Sequence, residues 1–303
     1  MNKNYVFAAL AVGASACLFL WGFDFIAVLF LTVVLTFCFS AFGPKAFGLY
    51  CALSLAAIFC SSKFNIVYTA AYTAFAVLVS LSLGYGFNKN KTLSSIMTSS
   101  CTIAVTVVAL LVVYLMKEGN KSAFHVVTGF KMNEIRDIFE QAGANSFKAQ
   151  DIDLIIKALD LMLPSVLIIT VCMSVYIVFG IARSFLEKNG LSFPNLRRFP
   201  EIRLSRGFTM VFLLIVLTSL FFETNGIALN LVSVVSMLFI LGGLSYIDFC
   251  LEKKNIKKQI RVIIYIFTYI VSVLTGIGAA ILLPGLLILG TVDSVKDLRN
   301  RYA

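Results

Sequence analysis

At 303 residues, 60% hydrophobic and only 13% charged, with a mean hydropathy of +0.95, the chain is far more apolar than a soluble domain. That balance excludes a water-soluble enzyme or binding module and leaves a polytopic membrane protein with no soluble part large enough to fold alone. The net charge of +10 does not point to nucleic acid, because Lys and Arg sit in short loops beside apolar runs, where they set topology and meet anionic lipid headgroups.

In chain order, nine apolar segments fit a helical window of roughly 20 residues: residues 6–21, 25–42, 46–60, 65–85, 95–116, 159–182, 207–222, 226–247 and 262–289. The first follows a basic start and has small residues before Cys17, a pattern loosely like a lipoprotein signal. The chain stays apolar through LFLWGF, however, which predicts an uncleaved first helix. The fourth segment carries Asn65, Tyr68, Thr69, Tyr72 and Thr73, the fifth Ser99, Ser100, Thr102 and Thr106, and the eighth Asn230. Tyr68 with Tyr72, and Thr69 with Thr73, are i,i+4 pairs on adjoining helix faces. Such a stripe serves a hydrogen-bonded helix contact or, less commonly, a small-molecule pocket, and both uses stay open here.

The sizeable insertion is 117–157, where Met132, Ile135, Ile138 and Phe139 recur at helical spacing and predict an amphipathic helix ending near Gly143. A second helix is expected to start after Asn145 or Ser146 and run straight into the sixth segment. The pair fits a cap on the bundle or a gate over a cavity. Next come two basic loops, 183–206 and 248–261. One carries Arg197, Arg198, Arg203 and Arg206, and the other Lys253, Lys254, Lys257, Lys258 and Arg261. They serve topology and lipid anchoring, or the docking of an acidic cytoplasmic partner.

With the N-terminus inside, one face collects fifteen Lys and Arg, from Lys3 to Arg261, against Glu187, Glu201, Asp248 and Glu252. The other collects seven, from Lys63 to Lys157, against nine acids that include Asp24 and Asp160. This bias predicts a cytoplasmic N-terminus. The tail is ambiguous. Nine crossings leave Lys296, Arg299 and Arg301 outside, whereas Gly276, Gly278 and Pro284 can break the last segment and return the tail to the cytoplasm.

No chemistry-bearing motif is present: no HExxH, Walker loop, GxSxG or dinucleotide fingerprint. Asp160 and Asp248 are expected at opposite faces, as solvated helix-end charges or partners of nearby Lys. The seven cysteines, all in or beside apolar runs, form no CxxC pair, and His125 is the single histidine. No metal site, cofactor or disulfide framework is expected. The hydrocarbon layer reads as nearly free of ionisable groups, which argues against a self-powered pump.

The run EQAGAN before a helix leading to LMLPSV, then FPNLRRFP, then ALNLVSVVSMLFILGGLSYIDFCLEKKNI, and finally LPGLLILGTVDSVKDLRNR, resembles the YybS-like family of bacterial membrane proteins, a domain of unknown function. The likeness is best from Gly143 onward. The proline-rich second span common in the family is here VLFLTVVLTF, with only Pro44 following. Pro164, Pro200, Asn230, Gly243, Asp293 and Arg299 are family-like positions. Their residue types suit a first-turn or kink proline at Pro164, a buried hydrogen bonder at Asn230, close packing at Gly243, and a tail salt bridge or cap from Asp293 and Arg299. The resemblance implies a bacterial inner-membrane location and a distant similarity to the substrate-capturing subunits of energy-coupling-factor vitamin transporters. Members of the family often neighbour genes for ribosomal proteins or a cyclic-dinucleotide phosphodiesterase.

The expectation is therefore an all-α transmembrane bundle of about eight to nine spans, a single integral membrane domain over 1–303 with one external helical insertion. Its function reads as non-enzymatic and substrate-binding or transport-related, with Tyr68, Thr69, Tyr72, Thr73 and Asn230 as candidate ligand contacts. An energising ATPase would be its partner. The alternative is a membrane scaffold recruiting a cytoplasmic protein through the basic loops.

Overall fold

The computed structural model describes residues 3–21, 23–61, 66–119, 149–193, 196, 198–221, 226–275 and 281–301, and every regular element among them is helical. The contacts divide the chain into two compact units: Met1–Leu163 with Leu167–Leu196, and Pro164–Val166 with Arg197–Ala303.

The first unit is built from α1 (Lys3–Leu20), α2 (Asp24–Phe42), α3 (Pro44–Ser61), α4 (Ile66–Asn88), α5 (Leu93–Gly119) and most of α6 (Ala149–Lys188). In hydrocarbon each backbone group must find its partner within the segment, so apolar runs of this length close into helices. The break between α2 and α3 is encoded by Gly43, which takes φ 83°, and by Pro44 at the first helical position. Helix α2 is the centre, buried continuously from Leu31 to Cys38 and packed by α1, α3 and α4. A helix covered on all sides has to be apolar all round, and VLFLTVVLTF is. Its two buried threonines donate to their own backbone, Thr32 to Val28 O and Thr36 to Thr32 O, each at 2.7 Å.

Small polar residues tie the neighbours together. The Ser80 hydroxyl on α4 reaches Thr32 O on α2 at 3.0 Å, and Ser82 meets Ser99 and Ser100 of α5 at 3.0 and 2.9 Å. Here the fifth-segment serines act as interhelical ties. Helix α6 closes the unit by stacking Phe179 on Phe87 at 5.3 Å, while Phe193 beyond it packs on the same ring at 4.9 Å.

The second unit comprises a 3-10 turn (Phe199–Glu201), α7 (Arg206–Phe221), α8 (Gly226–Lys253), α9 (Lys258–Thr275), α10 (Leu283–Lys296) and α11 (Leu298–Arg301). Its apolar core is Phe212, Val235 and Phe239, with ring centroids of Phe212 and Phe239 4.6 Å apart. Helices α8 and α10 cross where Gly243 meets Gly290, close enough that a Cβ on either residue would overlap a carbonyl of the other helix. Gly243 is thus the close-packing site its sequence context suggested.

Five described helical stretches are long and apolar enough to cross a membrane: Asp24–Phe42, Ile66–Asn88, Leu93–Glu118, Ala158–Lys188 and Gly226–Lys253. Shorter apolar helices accompany them at Leu10–Leu20, Pro44–Cys60 and Arg206–Thr218. As expected, a helix upstream of the sixth segment runs into it without interruption, giving the 40 residues of α6. Pro164 falls in its interior rather than its first turn. Beside the proline, the Ser165 N–H donates to Asn230 Oδ1 at 2.8 Å, and Asn230 Nδ2 donates to Gly226 O at 2.7 Å.

The described residues of the ninth segment fall in two helices. Helix α9 ends at Thr275, and α10 begins at Leu283 with Pro284 in its first turn. Arg261, at the start of α9, and Asp293, near the end of α10, both sit at the C-terminal end of α8. The tail therefore returns to the end of the unit that carries the basic loop, where Arg203 pairs with Asp297 at 2.5 Å. Residues 120–148, with His125 and the amphipathic stretch at Met132, Ile135, Ile138 and Phe139, lie outside the described residues.

Candidate functional site

Helices α2, α4, α5 and α6 of the first unit leave a partly open cavity of about 290 Å³ between them. Its wall is largely hydrocarbon: Phe25, Val28 and Leu29 from α2, Ala71 and Phe75 from α4, Val107, Val108 and Leu111 from α5, and Val171 from α6. Three polar side chains interrupt it, those of Asp24, Tyr72 and Ser174. Asp24 opens α2, where the unpaired N–H groups and positive end of a helix favour a carboxylate. Tyr72 faces it from α4, its hydroxyl 3.5 Å from Asp24 Oδ2, a long hydrogen bond. No described cation pairs with Asp24. Ser174 donates its proton to Thr170 O at 2.7 Å, which leaves its oxygen an acceptor. The Tyr72 ring lies 5.7 Å from Phe19 and 6.1 Å from Tyr68.

Of the residues singled out by sequence, Tyr72 lines this cavity. Tyr68 flanks it through the ring contact and is 38% exposed. Thr69 is buried and Thr73 half-buried, and neither is in the wall. Asn230 belongs to the other unit and is engaged by Ser165 and Gly226. Sequence reasoning placed Asp24 among the external acids and missed its role in the wall. Its position at the opening of an apolar run, facing the same end as the start of the tyrosine-bearing segment, was the available signal.

The second unit has a different character. Arg299 and Asp293 form a buried ion pair with side chains 6% and 3% exposed, Arg299 Nε and Nη2 each 2.9 Å from Asp293 Oδ2. Arg299 Nη1 donates to the Pro200 carbonyl and reaches Ser245 Oγ at 3.3 Å, while Ser245 Oγ meets the carbonyls of Phe199 and Ile202 at 2.6 and 2.8 Å. Tyr246 and Phe249 present their rings to the guanidinium at 6.0 and 5.7 Å. Ser294 bonds Thr209 and also reaches the carbonyls of Leu204 and Ser205. Close by, Arg261 Nη1 sits 3.1 Å from Asp248 Oδ1, which also accepts from the Tyr265 hydroxyl at 3.0 Å.

Three expectations are corrected. Asp248 is buried and paired with an arginine from the next helix, not solvated or held by a nearby lysine. Asp160 is half-buried inside α6, with Oδ1 unbonded among the described residues. Arg261 is likewise removed from the docking cluster, because it is buried. Arg198 stands 4.0 Å from Glu252, and Arg203 is held by Asp297. Arg206, Lys253, Lys254, Lys257 and Lys258 remain exposed, and Arg197 lies outside the described residues. No described group of three or more His, Cys, Asp or Glu is placed to hold a metal ion, and the seven cysteines are free thiols.

Fold and cavity together define an all-helical, polytopic membrane protein with a pocket inside its N-terminal unit. The chain belongs to the family of predicted membrane proteins DUF2232, which matches residues 6–293. It is 23% identical over 262 residues to the Bacillus subtilis (strain 168) protein titled "Uncharacterized protein YybS", a match covering 82% of this chain and 81% of that one. No solved structure matches the chain.

Proposed function

We propose that this protein captures a small molecule within the bacterial inner membrane, as a non-enzymatic, transport-related component of eight to nine spans with a cytoplasmic N-terminus. The single observation behind the reading is the cavity among α2, α4, α5 and α6, concave, mostly apolar and furnished with a few convergent polar groups. A packed interior at Tyr72 would have favoured a purely structural role. The distant similarity to substrate-capturing transporter subunits that the sequence resemblance implies would agree with this reading. With no Walker loop in the chain, ATP hydrolysis would come from a separate partner. The test is a thermal-shift screen of the detergent-purified protein against vitamins, nucleobases and metal chelates. A true ligand at a hundredfold excess over its Kd stabilises by about 2.7 kcal/mol, and Val108→Trp, which fills the cavity, should abolish that shift. No stabilisation by any compound, together with no co-purifying ATPase, would overturn the capture reading.

A second reading rests on the exposed basic residues, which would recruit an acidic cytoplasmic partner or anionic lipid. Changing Arg197, Arg198, Arg206, Lys253, Lys254, Lys257 and Lys258 to Gln, with Arg203 kept because it holds the tail, is expected to remove specific partners from a crosslinking pull-down. An unchanged partner set from folded, inserted protein would discard the scaffold.

A further inference from the structure

We infer that the molecule the cavity accepts is a small organic monocation, an ammonium group on an apolar body, held by Asp24 against the Tyr72 ring. This deepens the capture reading and rests on it. Three features of the wall select the charge. The Asp24 carboxylate has one long contact, from the Tyr72 hydroxyl at 3.5 Å, and no cationic partner among the described residues. A carboxylate facing hydrocarbon is costly until a cation or donors reach it. Among the described residues the wall also contains no Lys, Arg or His, and its serine hydroxyl already donates to Thr170 O, so no described cation there receives an anion. Finally, Tyr72 with Phe19 and Tyr68 offers π faces beside the carboxylate, the environment in which alkylammonium groups are bound. A neutral hydrocarbon would fill the space and leave the carboxylate bare. At about 290 Å³ the cavity is at the low end for small-molecule sites, so the body has to be compact.

The test compares benzyltrimethylammonium with its carbon isostere neopentylbenzene, by equilibrium dialysis against the intact detergent-solubilised protein with empty micelles as the blank. The pair shares shape and differs in one charge. Wild type is expected to bind the cation at least tenfold more tightly, Asp24→Asn to bring the two within twofold of each other without weakening the neutral probe, and Val108→Trp to lose both. Equal binding of the two probes to wild type, lost in Val108→Trp, would overturn the charge assignment and leave capture standing. A cation preference unchanged in Asp24→Asn would also overturn it, since the selectivity would then come from elsewhere. Binding of neither probe to wild type would bring down both readings at this cavity. If Asp24→Asn does not fold, the ratio in wild type decides, because a ratio near one already contradicts the assignment.

Discussion

Replacing Arg299 with methionine is expected to cost about 3–5 kcal/mol of unfolding free energy. Methionine keeps the length and most of the apolar contact of the arginine stem, so the loss comes from the guanidinium rather than from an emptied space. That group joins α10 at Asp293, the 3-10 turn at the Pro200 carbonyl and α8 at Ser245. Without it, Asp293 would be left 3% exposed with no counter-charge, and its Oδ1 already lacks a hydrogen-bond partner among the described residues. The size of the effect depends on leaving one charge behind. Arg299→Met combined with Asp293→Leu should recover most of the loss, because a buried pair exchanged for apolar side chains is often neutral. The double-mutant cycle, closed by Asp293→Leu alone, would then show a coupling at or above the top of the usual range of about 0.5–3 kcal/mol. Breaking Arg183–Glu187, whose side chains are 21% and 44% exposed, should cost no more than about 0.5 kcal/mol. Equilibrium unfolding in mild detergent reads the wild type, the two single variants, the double variant and the Arg183–Glu187 variant. Near-native stability for Arg299→Met alone would mean that the ion pair does not hold the tail to the turn.

The helices were legible because they are long apolar runs, and the start of α10 was legible because Pro284 stands in its first turn. The pairing of charges was legible only in part. A tail salt bridge of Asp293 with Arg299 is one of two readings of the sequence and is formed, whereas that of Asp248 with Arg261 went unread. Asp248 sits near the end of an apolar run, where sequence reads a charge as solvated, and Asp293 reads as a tail bridge or cap with nothing to mark its depth. Their burial comes from the chain folding back. Asn255, at φ 57°, reverses direction so that Arg261, thirteen positions on, returns to Asp248. Asp293 is enclosed by a turn 99 positions before Arg299 in sequence. The candidate site was half legible in the same sense. The i,i+4 tyrosines announced a patterned face, and Tyr72 does line the cavity. Asp24 lies 48 positions away, with a ready explanation as a helix-starting acid, and no periodicity links it to Tyr72. Thr69, Thr73 and Asn230 matched the pattern of polar residues in apolar helices, but hydrogen-bonded packing contacts give the same pattern, and Asn230 makes such contacts.

Alanine at Gly243 or Gly290 is expected to separate α8 from α10. A Cβ on Gly243 would overlap the Leu286 carbonyl oxygen and lie 2.9 Å from its carbon, and one on Gly290 would overlap Phe239 O and lie 2.8 Å from Gly243 N. Every obstructing atom is backbone, so no rotamer change relieves the clash and the helices themselves must move. Overpacking a core usually costs about 1–3 kcal/mol, and these two substitutions belong at or above the top of that range. Neighbouring glycines separate sterics from helix propensity. Gly242 would place its Cβ 3.8 Å from Gly290 Cα, an ordinary contact, and Gly285 would meet nothing within 4 Å. Both should tolerate alanine and gain up to about 1 kcal/mol, the helix preference for alanine over glycine. Gly84 is intermediate, since its Cβ would come within 2.6 Å of Phe39 Cδ1, a side chain that can give way. Thermal unfolding of the five single variants should therefore rank Gly285 and Gly242 at or above wild type, Gly84 below it, and Gly243 and Gly290 lowest. In the last two, Phe239 would also be drawn off Phe212, its stacking partner at 4.6 Å. If Gly243→Ala and Gly242→Ala unfolded at the same temperature, the two helices would have room between them, and the close crossing that supports the Asp293–Arg299 pair would be wrong.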